Sequence, residues 1–573
     1  MFSLHDPLSD TLRAELSEYD DLTAALLSRR GVTSREAAAR FLKPSYDEHL
    51  HDPLLITDMP RAAERLARAI TSGEHIAIWS DYDCDGGPGG VVMHDFLQKV
   101  GAHFENYIPH RHLEGYGMNV AGIEKLAAGG ATLVVTVDSG ITDVEPVARA
   151  KELGMDVIIT DHHLPLATGL PDAYAVVNPN ARADETYPFK ELCGSGLAWK
   201  LVCATLALAP QLREQHDIAP GWEKWLLDMV GLATVADMVP LVGENRVLAT
   251  YGLVVLRKSP RIGLAKLCSV ARINQRFITE EDIGFMLAPR VNAASRMGDA
   301  YDVLKLFTTS DEAEAELVAK RLETLNRGRK AAAGAITRAV HAKLKEREMR
   351  SVIALGDPDW RPALLGLVAN GISEEYGRPV FLWGREGSER YKGSVRSGRV
   401  HALALMGAAH ETFAEFGGHA ASGGFTILPD AIFSFEDRLV AAHERIKGSG
   451  EALAEAPGAD ADLAADDINL EMLATLSRLA PFGRGNDKPV FRIRDARISR
   501  VERFGKGLEH LKLKVERAQG PLDAVAFFAK GALAKRAEAL GEGSQATLLA
   551  HLERDTFSRG QPVRLRLLDL ALL

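Results

Sequence analysis

Asp81, Asp83 and Asp85 stand at alternate positions directly after the apolar run Ile76-Ala77-Ile78-Trp79-Ser80 and directly before Gly86. On an extended backbone alternate side chains share a face, so the three carboxylates are expected to project together where a strand ends. Three like charges in a low-dielectric crevice raise at least one pKa unless a cation neutralises them. Taken alone, the stretch also fits an acidic loop or a calcium loop of D-x-D-x-D-G type. It is not alone. Asp138 closes the run Thr132–Val137, Asp161-His162-His163 closes Val157–Thr160, and Asp237 follows Met229–Ala236. A single aspartate after a strand is ordinarily a helix cap and a single histidine a structural one. Acidic or histidine clusters after three separate strands point instead to one shared site. Carboxylates with imidazoles and no thiolate suit Mn²⁺ first, with Mg²⁺ or Co²⁺ also compatible. Two such ions about 3.5–4 Å apart can activate water and hold a phosphoryl oxygen for in-line attack. The residues at hand suffice for two ions.

These side chains can meet only if the strands that precede them lie side by side. Strand candidates are His75–Ser80, Phe104–Ile108, Thr132–Val137, Val157–Thr160 and Tyr174–Val177, with helical segments Val91–Val100, Gly122–Ala128 and Val144–Leu153 between most of them. Short apolar strands alternating with helices predict an α/β fold with a parallel sheet. The carboxyl edge of such a sheet is where ligands bind.

The chain has 573 residues, so two to four domains are expected. Its hydrophobic fraction of 46% and charged fraction of 25% are those of a soluble globular protein. No apolar run is long enough to span a bilayer and the first residues lack a secretion-signal pattern, so no membrane association is expected. The four cysteines lack C-x-x-C spacing, which argues against zinc and against a disulfide framework and favours a reducing cytoplasm. The net charge of -10 disfavours a nucleic-acid binder on its face, but binding needs only a local basic groove.

Residues 1–50 read as a helical segment, with Thr33 or Ser34 as a cap, and residues 194–330 as mostly helical. The basic stretch 326–350 reads as a connecting helix, or equally as a solvated face. A second, glycine-rich α/β unit follows at 351–447, and then an acidic linker at 448–467. The remainder, 468–573, holds short strands at Val490–Ile493, Leu511–Val515, Ala524–Phe528, Ala546–His551 and Val563–Leu567 and predicts a small β-barrel. Its basic residues around Phe504 suit single-stranded nucleic acid, or no more than a solvated surface.

The four motifs Asp81-Tyr82-Asp83-Cys84-Asp85-Gly86, Val137-Asp138-Ser139-Gly140, Asp161-His162-His163 and Thr234-Val235-Ala236-Asp237 resemble, in order, those of the DHH phosphoesterase superfamily. Within it the chain is similar to the RecJ single-strand-specific exonucleases over almost its whole length. Supporting stretches are Glu114-Gly115-Tyr116-Gly117, Val177-Asn178-Pro179-Asn180, the run 288–299 and Pro481-Phe482-Gly483-Arg484-Gly485-Asn486. The resemblance implies a DHH catalytic domain at 51–325, a DHH-associated domain at 351–447 and an OB-like barrel at 468–573. It implies Asp83, Asp85, Asp138, His162 and Asp237 as metal ligands, Asp138 as a bridge between two ions, and Asp81 as a further ligand. His163 would face substrate phosphate and Asp161 would orient the histidines. Gly417, Gly418 and His419 match a phosphate-holding Gly-Gly-His motif. Arg111, Ser394 and Arg396 match a pocket for a 5′-terminal phosphate, with Arg290 and Arg296 as further substrate contacts.

The implied activity is 5′-to-3′ degradation of single-stranded DNA to nucleoside 5′-monophosphates in repair and recombination. Implied partners are single-stranded DNA, a single-strand-binding protein and a helicase, with the enzyme a monomer. A phosphodiesterase for short oligonucleotides or cyclic dinucleotides, or a non-catalytic replication scaffold, are the rival readings; the barrel disfavours the first and the retained ligands the second. One departure from the family pattern stands out. Gly87-Pro88-Gly89-Gly90 replaces small Thr, Ser or Ala residues, and so many glycines predict a loose helix start.

Overall fold

The computed structural model describes residues 2–166, 169–386, 390–398, 400–418, 420–446, 458–529, 531–555, 560 and 562–572. The chain divides into two compact units, Met1–Thr324 with Gly458–Leu573, and Leu325–Pro457.

The first unit is built on five short strands, β1 (Ile76–Ser80), β2 (Phe104–Tyr107), β3 (Leu133–Val137), β4 (Asp156–Thr160) and β5 (Ala175–Val177). They pair in the order β2-β1-β3-β4-β5, every pairing parallel. β1 and β3 are buried along their whole length, which is why their sequences are continuous apolar runs rather than alternating ones. The expected parallel sheet is present with each strand where its apolar run lies.

Three helices matter for the site: α1 (Gly86–Lys99), α2 (Gly194–Leu208) and α3 (Leu227–Ala236). The expectation of a loose start to α1 is overturned. The helix begins at Gly86 itself, and Gly86 through Gly90 are all buried. A Cβ on Gly86 would lie 2.6 Å from the Cβ of Asp81, and one on Gly89 would lie 2.5 Å from a Val137 methyl. These glycines let the helix seat directly on the ends of β1 and β3, and that packing outweighs their poor intrinsic propensity.

The N-terminal segment does not stand apart as its own domain. Leu16, Leu26, Leu27 and Phe41 share one apolar core with the C-terminal barrel residues Phe491, Ile498, Leu513, Leu548 and Leu565. The barrel comprises β12 (Phe491–Phe504), β13 (His510–Val515), β14 (Leu522–Ala526), β15 (Ser544–Arg554) and β16 (Val563–Leu572), closed by pairing of β12 with β15. A short parallel strand, β11 (Ala461–Leu463), adds to β12, so the end of the expected linker belongs to the barrel; residues 447–457 lie outside the described residues. β12 is much longer than the expected Val490–Ile493. Its register shifts after Ile493 and again after Ile498, and such bulges break the alternation by which a strand is read from sequence.

The second unit has a sheet of β6 (Ile353–Gly356), β7 (Val380–Glu386), β8 (Arg390–Arg396), β9 (Phe413–Gly418) and β10 (Ser422–Ile427) in the order β6-β7-β8-β10-β9. The long helix α4 (Glu312–Lys345) begins earlier than the expected connecting helix because Asp311 accepts the backbone N–H groups of Ala313 and Glu314. Helix α5 (Pro362–Tyr376) packs on β7 and β8. Among the described residues no helix is long and apolar enough to cross a membrane.

Candidate active site

The sheet places three aspartates in a row. Each is the first residue past its strand, and each donates its backbone N–H to the last turn of the neighbouring strand: Asp81 to the Val137 carbonyl (3.0 Å), Asp138 to Thr160 (2.9 Å) and Asp161 to Val177 (3.2 Å). Parallel pairing thus sets their spacing before any side chain is considered. Asp138 turns away from the strand at φ +61°, a left-handed conformation that aspartate tolerates better than most residues.

The alternation expected for Asp81, Asp83 and Asp85 is not how they converge. The strand stops at Ser80, and a turn carries the chain into α1. Asp83 accepts the backbone N–H groups of Asp85 (2.7 Å) and Gly86 (3.2 Å), in the manner of a helix cap. Asp85 reaches the start of α2, where its two carboxylate oxygens accept the N–H groups of Gly194 (2.6 Å) and Ser195 (2.8 Å). A negative side chain there also meets the positive end of the helix dipole.

His162 stands at the centre. Its Nε2 lies 3.2 Å from Asp138, 3.8 Å from Asp85 and 3.8 Å from Asp237. Asp237 arrives at the C-terminal end of α3, not from a strand. Ligand atoms fall into three overlapping groups that could each hold a metal: Asp81, Asp83 and Asp138; Asp85, His162 and Asp237; and Asp138, His162 and His163, with separations within 4.8 Å inside each group. The electrostatics agree. Burial, and then Asp83, raises Asp81 well above the ordinary carboxylate range; burial, and then Asp85, Asp83 and Asp81, does the same to Asp138. Asp237 is pushed up to about 8 by burial and by Asp85 and Asp83, with His163 and Arg484 pulling the other way. Burial depresses His162. Among the described residues, one buried oxygen on Asp81 and one on Asp138 have no hydrogen-bond partner. Buried carboxylate oxygens left without donors are costly, and a divalent cation is the ligand that satisfies them. The donor set fits a metal.

Asp161 plays another part. Fully buried, it accepts the N–H groups of His162 (2.8 Å), His163 (3.2 Å) and Ile141 (3.0 Å) and pairs with His163 Nδ1 at 2.8 Å. Burial opposes its charge, but these bonds, His163 foremost, hold its pKa below the ordinary value. His163 in turn rises to about 9, against burial, through its bond to Asp161. With Nδ1 engaged by Asp161, and by the Tyr116 hydroxyl at 3.1 Å, Nε2 is the nitrogen left to meet a substrate.

A cleft of ≈ 220 Å³ lies over the cluster, lined by Asp81, Tyr82, Asp83, Arg111, Tyr116, Asp138, His163, Asp237 and Arg296. Arg111 stacks its guanidinium on the Tyr82 ring at 4.7 Å. Arg290 is not part of it. Its buried guanidinium donates to Glu323 (2.7 Å) and to the Met286 carbonyl (2.6 Å), so it ties helices together instead of facing phosphate.

Ser394, Arg396, Gly417 and Gly418 belong to the second unit. There β10 links them: Gly424 lies between Ser394 and Gly417, and Ser422 opposes Arg396. The Arg396 guanidinium rests against α5, where a Cβ on Gly366 would lie 2.7 Å from Nη2. Burial lowers its pKa, and no carboxylate ion-pairs with it among the described residues. His419 lies outside the described residues.

Several supporting residues escape sequence reading. Asn178 donates to the His163 carbonyl (2.8 Å) and Asn180 to the His162 carbonyl (3.0 Å), clamping the His-His pair from behind. Asn292 accepts the Cys84 N–H (3.0 Å) and steadies the turn between Asp83 and Asp85. The asparagines lie in stretches marked by resemblance, but nothing in their local pattern announces these bonds.

The part of the chain that builds this sheet and cluster matches the DHH family N-terminal domain over residues 75–234. The chain also matches the DHHA1 domain over 337–442 and the RecJ OB domain over 459–569. The single-stranded-DNA-specific exonuclease RecJ of Bacillus subtilis (strain 168) is 33% identical, the match covering 96% of this chain and 68% of that one. RecJ of Escherichia coli (strain K12) is 32% identical over 90% of this chain and 91% of its own. The crystal structure of RecJ from Thermus thermophilus in complex with Mn²⁺ superimposes with a TM-score of 0.79 at 27% identity, covering 99% of this chain and 78% of that one. The chain belongs to the RecJ family of single-stranded-DNA-specific exonucleases.

Proposed function

We propose that this protein is a metal-dependent exonuclease that degrades single-stranded DNA from the 5′ end, releasing nucleoside 5′-monophosphates in repair and recombination. The observation that carries the reading is the convergence of Asp81, Asp83, Asp85, Asp138, His162 and Asp237 with buried oxygens that want a cation. Manganese suits this set, as magnesium does, and cobalt is chemically compatible. Asp81, Asp83, Asp85, Asp138, His162 and Asp237 would hold the metal, with room among them for two ions and Asp138 a donor to both. Bound there, divalent cations supply a nucleophile from water at neutral pH and neutralise charge on the phosphoryl oxygens.

The protein's own groups do the rest. Asp161 fixes His163 so that its Nε2 can donate to a phosphate oxygen. Arg111 and Arg296, at the cleft wall, grip the strand. Ser394, Arg396, Gly417, Gly418 and His419 are assigned to phosphate binding in the second unit, where glycines allow close backbone approach. The DHH catalytic domain is assigned to 51–325, the DHH-associated domain to 351–447 and the barrel domain to 468–573, with the N-terminal helices sharing the barrel's core. The barrel is assigned to the unpaired strand. A cytoplasmic monomer working with a helicase and a single-strand-binding protein completes the reading.

A timed digest tests it. With Mn²⁺, a 3′-labelled single strand shortens step by step from its 5′ end, a 5′-labelled one releases labelled mononucleotide at once, and blunt duplex resists. Internal cuts, or label lost first from the 3′ end, contradict it.

A further inference from the structure

The turn Pro481–Asn486, at the entry to the barrel, is mounted with unusual rigidity on the catalytic part of the same unit. Asn486 is wholly buried; its amide donates to the Leu479 (2.8 Å) and Pro481 (2.7 Å) carbonyls and its oxygen accepts Arg30 Nε (2.6 Å). The Phe482 N–H donates to Glu280 (2.9 Å), and Arg246 donates to the Ala480 carbonyl (3.0 Å). Gly483 and Asn486 exchange two backbone hydrogen bonds of 3.0 Å. Within this turn Gly485 adopts φ +74°, and a Cβ on it would lie 3.2 Å from Pro240, while one on Gly483 would lie 2.8 Å from Leu241. The loop therefore sits flush against the segment that follows Asp237. The contact is sealed by the Leu241 N–H, which donates to the Arg484 carbonyl at 2.7 Å.

All this backbone machinery holds up one side chain. Arg484 is exposed, and among the described residues no carboxylate forms an ion pair with it. Its own backbone carbonyl accepts the N–H of Leu241, four residues beyond Asp237, which lines the cleft. An arginine fixed by its backbone to the segment after Asp237, without an ion-pair partner among the described residues, near a cleft that Arg111 and Arg296 also line, has the chemistry of a phosphate contact. A purely structural turn needs Gly483, Gly485 and Asn486 but has no use for a cation between them.

We propose that Arg484 is a substrate-binding residue that the barrel side lends to the active site, gripping a backbone phosphate of the single strand at the Asp237 rim of the cleft. The inference rests on the reading of the protein as a single-strand nuclease. It explains why the tip of a turn so firmly buried elsewhere should present a long cationic side chain.

The test uses the full chain, an oligothymidylate, and binding measured in EDTA so that no cleavage intervenes. Arg484→Ala is expected to weaken binding about tenfold and to reduce the slope of log K against log salt by about 0.7, the loss of one phosphate contact on a single strand. Arg484→Lys is expected to keep the slope and recover most of the affinity. In Mn²⁺, KM rises for Arg484→Ala with kcat less affected, and the melting temperature stays that of the wild type. An unchanged salt slope in Arg484→Ala, or a lysine variant as impaired as the alanine one, overturns the assignment. If the wild type itself neither binds nor degrades the oligomer, the nuclease reading fails first, and that outcome is distinct from an active wild type with an indifferent Arg484→Ala.

Discussion

Gly194 lies so close to Asp138 that a Cβ on the glycine would sit 2.5 Å from the aspartate Cβ and 2.8 Å from its Oδ1. The start of α2 is thus threaded between the carboxylate it supports, Asp85, and the one it must not displace. Gly194→Ala is expected to push Asp138 off its place while leaving every proposed ligand in the chain. A displacement on the order of 1 Å costs roughly a hundredfold in kcat, and the overpacking about 1–3 kcal/mol of stability. Steady-state kinetics with denaturant melts will check both; a fully active variant means the cluster tolerates movement that the account forbids.

The pKa of Asp237 makes a separate prediction for the metal-free protein. Raised to about 8 in the folded chain, against about 3.9 when unfolded, the carboxyl holds a proton in the native state that the unfolded state has lost. Its stabilising contribution is complete below about pH 4 and is lost as pH rises toward 8. Asparagine has no proton to lose. The melting temperature of Asp237→Asn in EDTA should therefore match the wild type near pH 4 and exceed it increasingly up to pH 8. Addition of Mn²⁺ should then stabilise the wild type more than the variant at the upper end. A difference that shrinks with rising pH contradicts the assignment of Asp237 to a crowded anionic site.

Arg290 tests where the site stops. Because its buried guanidinium donates to the half-buried Glu323 and to the Met286 carbonyl, Arg290→Ala removes both bonds and should cost about 1–3 kcal/mol. Among molecules that remain folded, KM for single-stranded DNA should not change. A raised KM at unaltered stability would return Arg290 to the substrate surface.

The sequence disclosed the sheet well because β1, β3 and β4 beyond Asp156 are buried on both faces and read as largely apolar runs. It disclosed the ligands because polar groups at the ends of such runs have no packing explanation. What it hid depends on contacts distant in the chain. The glycines of α1 look like helix breakers until Asp81 and Val137 are seen against them. Asp85 reads as one of three equivalent carboxylates until α2 arrives, more than a hundred residues later, to fix it differently from Asp83. Arg290 and Arg296 share a motif, yet one faces the helices and the other the cleft. The bulged course of β12 and the shared core of residues 1–50 with the barrel have no local signature either.

Asp138 and His162 each belong to two of the three ligand groups and lie 3.2 Å apart, so Asp138 touches all three. The decisive measurement is the rate of nucleotide release from a 5′-phosphorylated single strand, with Mn²⁺ and with EDTA, for the wild type and for Asp138→Ala at equal melting temperature. Release in the wild type with Mn²⁺ alone, and none from Asp138→Ala in either condition, is the predicted result. Sustained release in EDTA, or from Asp138→Ala, contradicts it.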